Sequence, residues 1–367
     1  MENLVAPSLG RAQYSCTIVG SSRSSFSRGY KWAPDGSCVL GNHEDGVMRI
    51  FRQGDSELAD LSPCFCTPAA EYIYDFAWFP LMQSDIRASC CFITTSRDSP
   101  IHLWDSEEPR IRATYRPMNH LDELAHANSI SFSSSGEQIF AGFERCIRTF
   151  DIHRPGRQTS ERLLCTRKDK SGQRGLISTL AECPERPGLL AAGSYGRSIH
   201  FYTAGQRGCT LWCKDPEMGG VTQLTWLSDL EIASGHRKDG KIRVWDLRNL
   251  AEHVTSFDRP CNSNQRLAFG VSSSVLGAGG SDGSVFFFSR QTGALLSSKC
   301  VSSDPIVSVD FHPEGRLICT SAGTRVFPNY DRDSPPRDLE DIPLPLEKRP
   351  KVENGCAQVW SFDVAES

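Results

Sequence analysis

Apolar and polar residues alternate along this chain in short runs that return at a nearly constant spacing. Each run closes on an aromatic residue, often followed by Asp: VMRIF at Phe51, IHLWD at Trp104, IRTFD at Phe150, IHFYT at Tyr202, IRVWD at Trp245, VFFFS at Phe288 and QVWSF at Trp360. The first five intervals between these aromatics are 53, 46, 52, 43 and 43 residues, close to the roughly 40 to 45 residues of a four-stranded propeller blade. Ahead of each run lies a second unit, an apolar strand, a polar turn and another apolar strand, as in GYKWAPDGSCVL, VTQLTWLSDLEIASG and IVSVDFHPEGRLICTS. Period-two alternation predicts half-buried strands, and the Pro, Asp and Gly between them are hairpin chemistry. Each blade reads as strands a, b and c with a weaker d, so the pattern predicts an all-β, seven-bladed WD-repeat propeller.

The last interval, from Phe288 to Trp360, is 72 residues. A polar, Pro-rich stretch without periodicity accounts for the excess, and residues 323–355 are expected to form a flexible insertion between strands b and c of the last blade. Too few residues follow Trp360 for another strand. The missing outer strand is therefore expected from the N-terminus, at Tyr14–Val19, closing the ring over residues 13–367. Residues 1–12 are expected to be a flexible arm.

Composition supports one globular unit, at 39% hydrophobic and 23% charged residues. The chain carries no signal-peptide pattern and no apolar run of membrane-spanning length, so no membrane partner is expected. Most of the 15 cysteines fall inside predicted strands, among them Cys38, Cys91, Cys146 and Cys319, and read as buried free thiols. Cys64, Cys66, Cys90 and Cys91 lack a second ligand pair at zinc spacing, and no metal is expected. Ser, His and Asp occur without an elbow motif, and no Gly-rich phosphate loop opens a helix, so no enzyme, cofactor or small-molecule substrate is expected. Trp32, Trp104, Trp245 and Trp360 read as blade-core packing.

The net charge of -4 gives no global reason to expect nucleic acid. Placement changes that picture. The b-to-c turns and d-to-a loops of a propeller emerge on one face, and the b-to-c turns carry Arg97, Arg145, Arg197, Arg237 with Lys238, and Arg325 in five of the seven blades. The d-to-a loops add Arg23, Arg28, Lys168, Lys170, Arg174 and Arg266, with Tyr195 and His236 as candidate base-stacking surfaces. Cations interleaved with aromatics suit a phosphate backbone with unpaired bases. Against this, turns are polar in any case, and Asp45, Asp98, Asp239 and Asp282 neutralise part of the set.

Several loop segments are more idiosyncratic than the blade pattern. SFSRGYKWAPDG, SRDSPIHLWD, NHLDEL, RPGR, GSYGRS, RKD with WDLR, and RVFP together resemble the telomerase Cajal body protein 1 family over nearly the whole chain. The resemblance implies a non-enzymatic RNA-binding propeller of the nucleus and its Cajal bodies. Such a protein recognises the Cajal-body localisation box in small Cajal body RNAs and, in many animals, in telomerase RNA. It further implies dyskerin and the other H/ACA core proteins, coilin and the telomerase reverse transcriptase as partners. Arg28, Arg97, Tyr195, Arg197, Arg237, Lys238 and Arg325 stand inside the matching segments and are candidate RNA contacts, with Arg145 beside them. His120 and Asp122 of NHLDEL are candidates for partner contact, although a His ahead of strand a can instead serve a buried hydrogen bond.

Two departures matter. Family members in vertebrates carry a long acidic, Pro-rich extension ahead of the propeller, and the resemblance does not carry over the interactions that depend on it. Before blade five the family tends to show a Gly-His pair where this chain reads DPEMGGVTQL, so one internal hydrogen-bond network is expected to be missing. Lys348, Arg349 and Lys351, in KRPK, form a candidate nuclear-import cluster. The rival reading is a protein-binding adaptor such as a cullin-type ubiquitin ligase substrate receptor, resting on WDLR at Trp245–Arg248.

Overall fold

The computed structural model describes residues 8–17, 26–52, 65–68, 72–165, 172–206, 208–324 and 356–363. Among them there is no helix, and the strands group into seven separate sheets. Blade one comprises Ser27–Trp32, Cys38–His43, Val47–Arg52 and Phe65–Pro68, each strand antiparallel to the next. The same a-b-c-d order repeats through blade five (Val221–Trp226, Glu231–His236, Lys241–Asp246, Thr255–Asp258) to blade seven. The seven-bladed propeller expected from the repeat is the fold observed.

Ring closure also follows the expectation. In blade seven, Ile306–Phe311, Leu317–Ala322 and Cys356–Asp363 supply strands a, b and c, and Ser8–Thr17 pairs antiparallel with the last of these as strand d. This strand begins earlier than expected, so residues 8–12 are sheet rather than arm. Its register shifts between Leu9 and Ala12 and again between Ala12 and Tyr14, which breaks the alternation that would have marked it in sequence. Most of the insertion, together with Arg325, Lys348, Arg349 and Lys351, lies outside the described residues.

The apolar core is divided among the blade interfaces. Leu40, Met48 and Ile50 of blade one meet Phe76, Trp78 and Phe92 of blade two. The pattern continues blade by blade to Tyr30, Trp32 and Phe51, which close against Cys319 and Val359 of blade seven. Seven clusters thus join seven neighbours in a circle. The signature tryptophans are buried in them, and the indole N–H of Trp104, Trp245 and Trp360 donates to Thr94, Ser234 and Thr320 on strand b of the same blade, at 2.8 to 2.9 Å. Each of these polar atoms is thereby satisfied inside the core. Cys90, Cys91, Cys146, Cys183, Cys213 and Cys319 are buried free thiols, as expected, and Cys38 is buried as well.

Inner strand edges face the central channel and need partners for their N–H groups. The preceding blade provides them from side chains: Asp310 accepts from Trp32 N (2.7 Å), Asp75 from Ile130 N (3.1 Å) and Gln223 from Phe269 N (3.0 Å). Asp75 also pairs with Arg266 across the channel at 3.1 Å.

Blade two has a fifth strand that the sequence reading missed. Gly156–Arg157, in the connection between strands c and d of blade three, pairs in parallel with Tyr115 and Arg116. Gln158 exchanges two hydrogen bonds with the backbone of Met118 (2.9 and 2.7 Å), and Arg157 pairs with Asp122 at 2.8 Å. The two idiosyncratic segments NHLDEL and RPGR therefore form one unit on the outer rim.

Candidate nucleic-acid interface

The b-to-c turns and the loops ahead of strand a are knitted together by backbone hydrogen bonds, which places them on one face. Glu44 N donates to Phe26 O, Arg97 N to Tyr72 O, Tyr195 N to Leu176 O and Arg237 N to Gly220 O, at 3.0 to 3.3 Å. Two turns also reach the loop of the next blade, through Arg145 N to Gly175 O and Lys238 N to Ser263 O, both 3.0 Å. The side chains on this face project from a fixed frame.

The turns share a further property. At the position needing a left-handed backbone, blades one and six carry Gly46 (φ 75°) and Gly283 (φ 81°), whereas blades two to five carry Asp98 (φ 51°), Arg145 (φ 55°), Arg197 (φ 62°) and Lys238 (φ 53°). A side chain there costs roughly 1–2 kcal/mol in an L-residue. Three cations occupy strained sites on one face.

The candidate residues differ in what they touch. At the junction of blades four and five the Arg237 guanidinium lies over the Tyr195 ring at 4.3 Å, and Tyr195 remains 37% exposed. Arg197 and Lys238 are exposed and meet no carboxylate among the described residues. Exposed Arg174 lends its carbonyl to Ser194 Oγ at 2.5 Å, which sets it beside the Tyr195 turn. Arg97 and Arg145 are exposed but lean on their neighbours Asp98 (3.4 Å) and Glu144 (3.2 Å). Arg28 is placed differently from the expectation: it belongs to strand a itself, donates to Ile73 O at 3.1 Å and pairs with Glu44 at 3.4 Å. Arg266 is held by Asp75.

Three expectations need correction. His236 is buried and offers no stacking surface; burial pushes its imidazole down to about 4. Asp45 and Asp239 do not neutralise the exposed cations, because they are bound to buried Arg49 and Arg243 at 2.6 Å each. His120 makes no buried hydrogen bond, being exposed together with Asp122 on the rim unit.

The network expected to be missing before blade five is present in another form. Arg243, only 1% exposed, is clamped by Asp239 and by Asp215 at 3.0 Å, and Gly219 N donates to Asp239 at 3.2 Å. Burial alone would raise the Asp239 carboxyl, yet hydrogen bonds from Arg243 and from the backbone N–H of Lys241 and Gly219 hold it below the usual carboxylate range. A sequence signal existed. Two residues before the signature aromatic, blades one, three and five all carry Arg (Arg49, Arg148, Arg243), each buried and each paired, Arg148 with Glu161 at 3.1 Å.

The WD domain, G-beta repeat model matches residues 212–246, the outer strand of blade four and most of blade five. Telomerase Cajal body protein 1 of Mus musculus is 37% identical over 363 residues, covering 93% of this chain and 67% of the mouse protein. The chain belongs to the telomerase Cajal body protein 1 family. The member from Bos taurus is 37% identical over 91% of this chain, which spans 64% of the bovine protein, and the Drosophila melanogaster homologue is 30% identical over 84% of it. A more distant relative, guanine nucleotide-binding protein negative regulator 1 of Schizosaccharomyces pombe, is 28% identical over 84% of the chain. Among the described candidate residues, Arg197 and Lys238 face solvent with no carboxylate partner beside the Tyr195–Arg237 stack.

Proposed function

We propose that this chain is a non-enzymatic RNA-binding propeller. It recognises the Cajal-body localisation box in the loops of small Cajal body RNAs, and of telomerase RNA where that RNA is present, and directs these particles to Cajal bodies in the nucleus. The observation that carries the reading is the junction of blades four and five. There Arg197 and Lys238 stand exposed with no carboxylate partner among the described residues, beside an aromatic ring already backed by Arg237. Phosphates supply the missing countercharge, and Arg145 and Arg97 extend the basic track along the face, with Arg325 a further candidate contact from the sequence. The names of the mammalian relatives support the Cajal-body and telomerase association.

Dyskerin with the H/ACA core proteins, coilin and the telomerase reverse transcriptase are the protein partners of this proposal. The rim unit with exposed His120 and Asp122 is a surface for one of them, and Lys348, Arg349 and Lys351 serve nuclear import. The deciding experiment pairs RNA affinity with its salt dependence. Arg197→Glu/Arg237→Glu should weaken binding of a box-bearing stem-loop and lower the slope of log K against log salt by about 1.4, at roughly 0.7 per lost single-strand phosphate contact. An unchanged affinity and slope refute the assignment. Crosslinking followed by RNA sequencing separates this function from the ubiquitin-ligase adaptor reading, which predicts co-purification with the ligase adaptor and little RNA.

A further inference from the structure

We infer that the junction of blades four and five holds one unpaired nucleobase against the open face of Tyr195, and that Gly220 is the positioning residue that makes this site. The inference rests on the RNA-binding reading and narrows it to a single stacked base at a named place. Tyr195 is fixed from below: its N–H is taken by Leu176 O, and Gly196 N and Arg197 N donate to Ser194 Oγ (2.9 Å) and Ser194 O (3.1 Å). The ring is therefore held on a closed turn. Arg237 covers one of its faces at 4.3 Å. A cation on one face of an aromatic leaves the other for a second flat group, and base stacking on such platforms is tolerant of sequence.

Gly220 explains why Arg237 can lie there. A Cβ on Gly220 would stand 2.9 Å from Arg237 Nε and 3.2 Å from Tyr195 Cδ1, inside the contact distance of both partners. A side chain at 220 forces the Arg237 guanidinium and the ring edge to shift from this arrangement. Arg197 and Lys238 flank the platform from the same two turns, at left-handed positions where a glycine would be less strained. Two cations beside an aromatic platform fit a splayed nucleotide, its phosphates on the cations and its base on Tyr195. An A-form duplex, whose bases are stacked on each other, cannot use the ring.

The test uses the full chain and a box-bearing stem-loop RNA carrying 2-aminopurine at one loop position at a time. Stacking on Tyr195 is expected to quench the probe at one loop position. Tyr195→Phe keeps the quench; Tyr195→Leu and Tyr195→Gln abolish it and weaken binding about 10- to 100-fold. Gly220→Ala, with every charge and ring retained, reduces the quench and weakens binding several-fold while the thermal melt stays cooperative. A quench that survives in Tyr195→Leu and Tyr195→Gln, or that Gly220→Ala leaves untouched, overturns the inference. If the unmodified chain binds the stem-loop no better than its blunt stem, the RNA-loop reading itself fails, which is a separate result.

Discussion

Replacing the strained cations by glycine should stabilise the protein and impair its RNA binding at once. Arg145, Arg197 and Lys238 sit at φ of 55°, 62° and 53° in their b-to-c turns, whereas the b-to-c turns of blades one and six put Gly46 and Gly283 in the left-handed region. Relief of the left-handed backbone returns roughly 1–2 kcal/mol per site, and the added freedom of glycine in the unfolded chain takes back about 0.4–1 kcal/mol. The net is about 0.5–1 kcal/mol each, so about 2 kcal/mol for the triple variant, three separate turns being close to additive. With an unfolding entropy of about 2.1 cal/mol/K per residue, a chain of this length gains roughly 2–3 °C in Tm. The same variant loses three candidate phosphate contacts, which lowers the salt slope by about 2. Calorimetry and filter binding across a salt series read the two effects. Asp98→Gly is the control, because it relieves the same backbone without removing a cation, and should raise Tm with no loss of RNA affinity. A Tm that falls in the triple variant refutes the strain argument, and a raised Tm with an unchanged slope refutes the role of these charges.

Two further outcomes follow from the buried network and the buried imidazoles. Asp239→Asn leaves Arg243 with Asp215 as its anionic clamp among the described residues and should cost about 2 kcal/mol in urea unfolding, whereas Arg248→Ala, which removes an exposed guanidinium from Asp246, should change stability much less. Burial pushes His43 down to about 3 and His200 and His236 to about 4, so below pH 6.5 the unfolded chain binds protons that the folded chain does not. Stability then falls on acidification, by about 2 kcal/mol per group at pH 5. Asp310, raised by burial to about 6, works in the opposite direction and offsets roughly 1 kcal/mol of this loss. Urea melts at pH 7.5 and 5.0 check the sum, and equal stability at the two would refute neutral burial of the imidazoles.

The repeat was legible because each blade restates the same alternation, and errors in one copy are corrected by six others. Ring closure was legible by subtraction, since the residues after Trp360 are too few to supply its outer partner. What could not be read is where the pattern is interrupted. Two register shifts hide the first residues of Ser8–Thr17, and a Pro-Gly pair hides the short strand Gly156–Arg157. The candidate interface was legible as a set of turns but not as an arrangement. Nothing in the sequence ties Tyr195 to Arg237 in the next blade, or sets Arg28 on a strand where Glu44 and Ile73 occupy it. His236 was misjudged because a polar residue beside a turn was assumed exposed, when the last position of strand b faces the inter-blade core.

The way the ring closes has a consequence for how the protein comes into being. Residues 8–17 leave the ribosome before any other described strand, yet their pairing partner, Cys356–Asp363, emerges more than three hundred residues later. At roughly 5–20 residues per second that is about 20 to 70 s during which the segment has no native edge to join. The earliest-made strand is the last to be seated. Until then blade seven is open on one side and its free edge is available to any other chain. A truncation that removes Cys356–Asp363 would also leave Ser8–Thr17 without its partner strand, so a lesion in the last described strand reads out in the first.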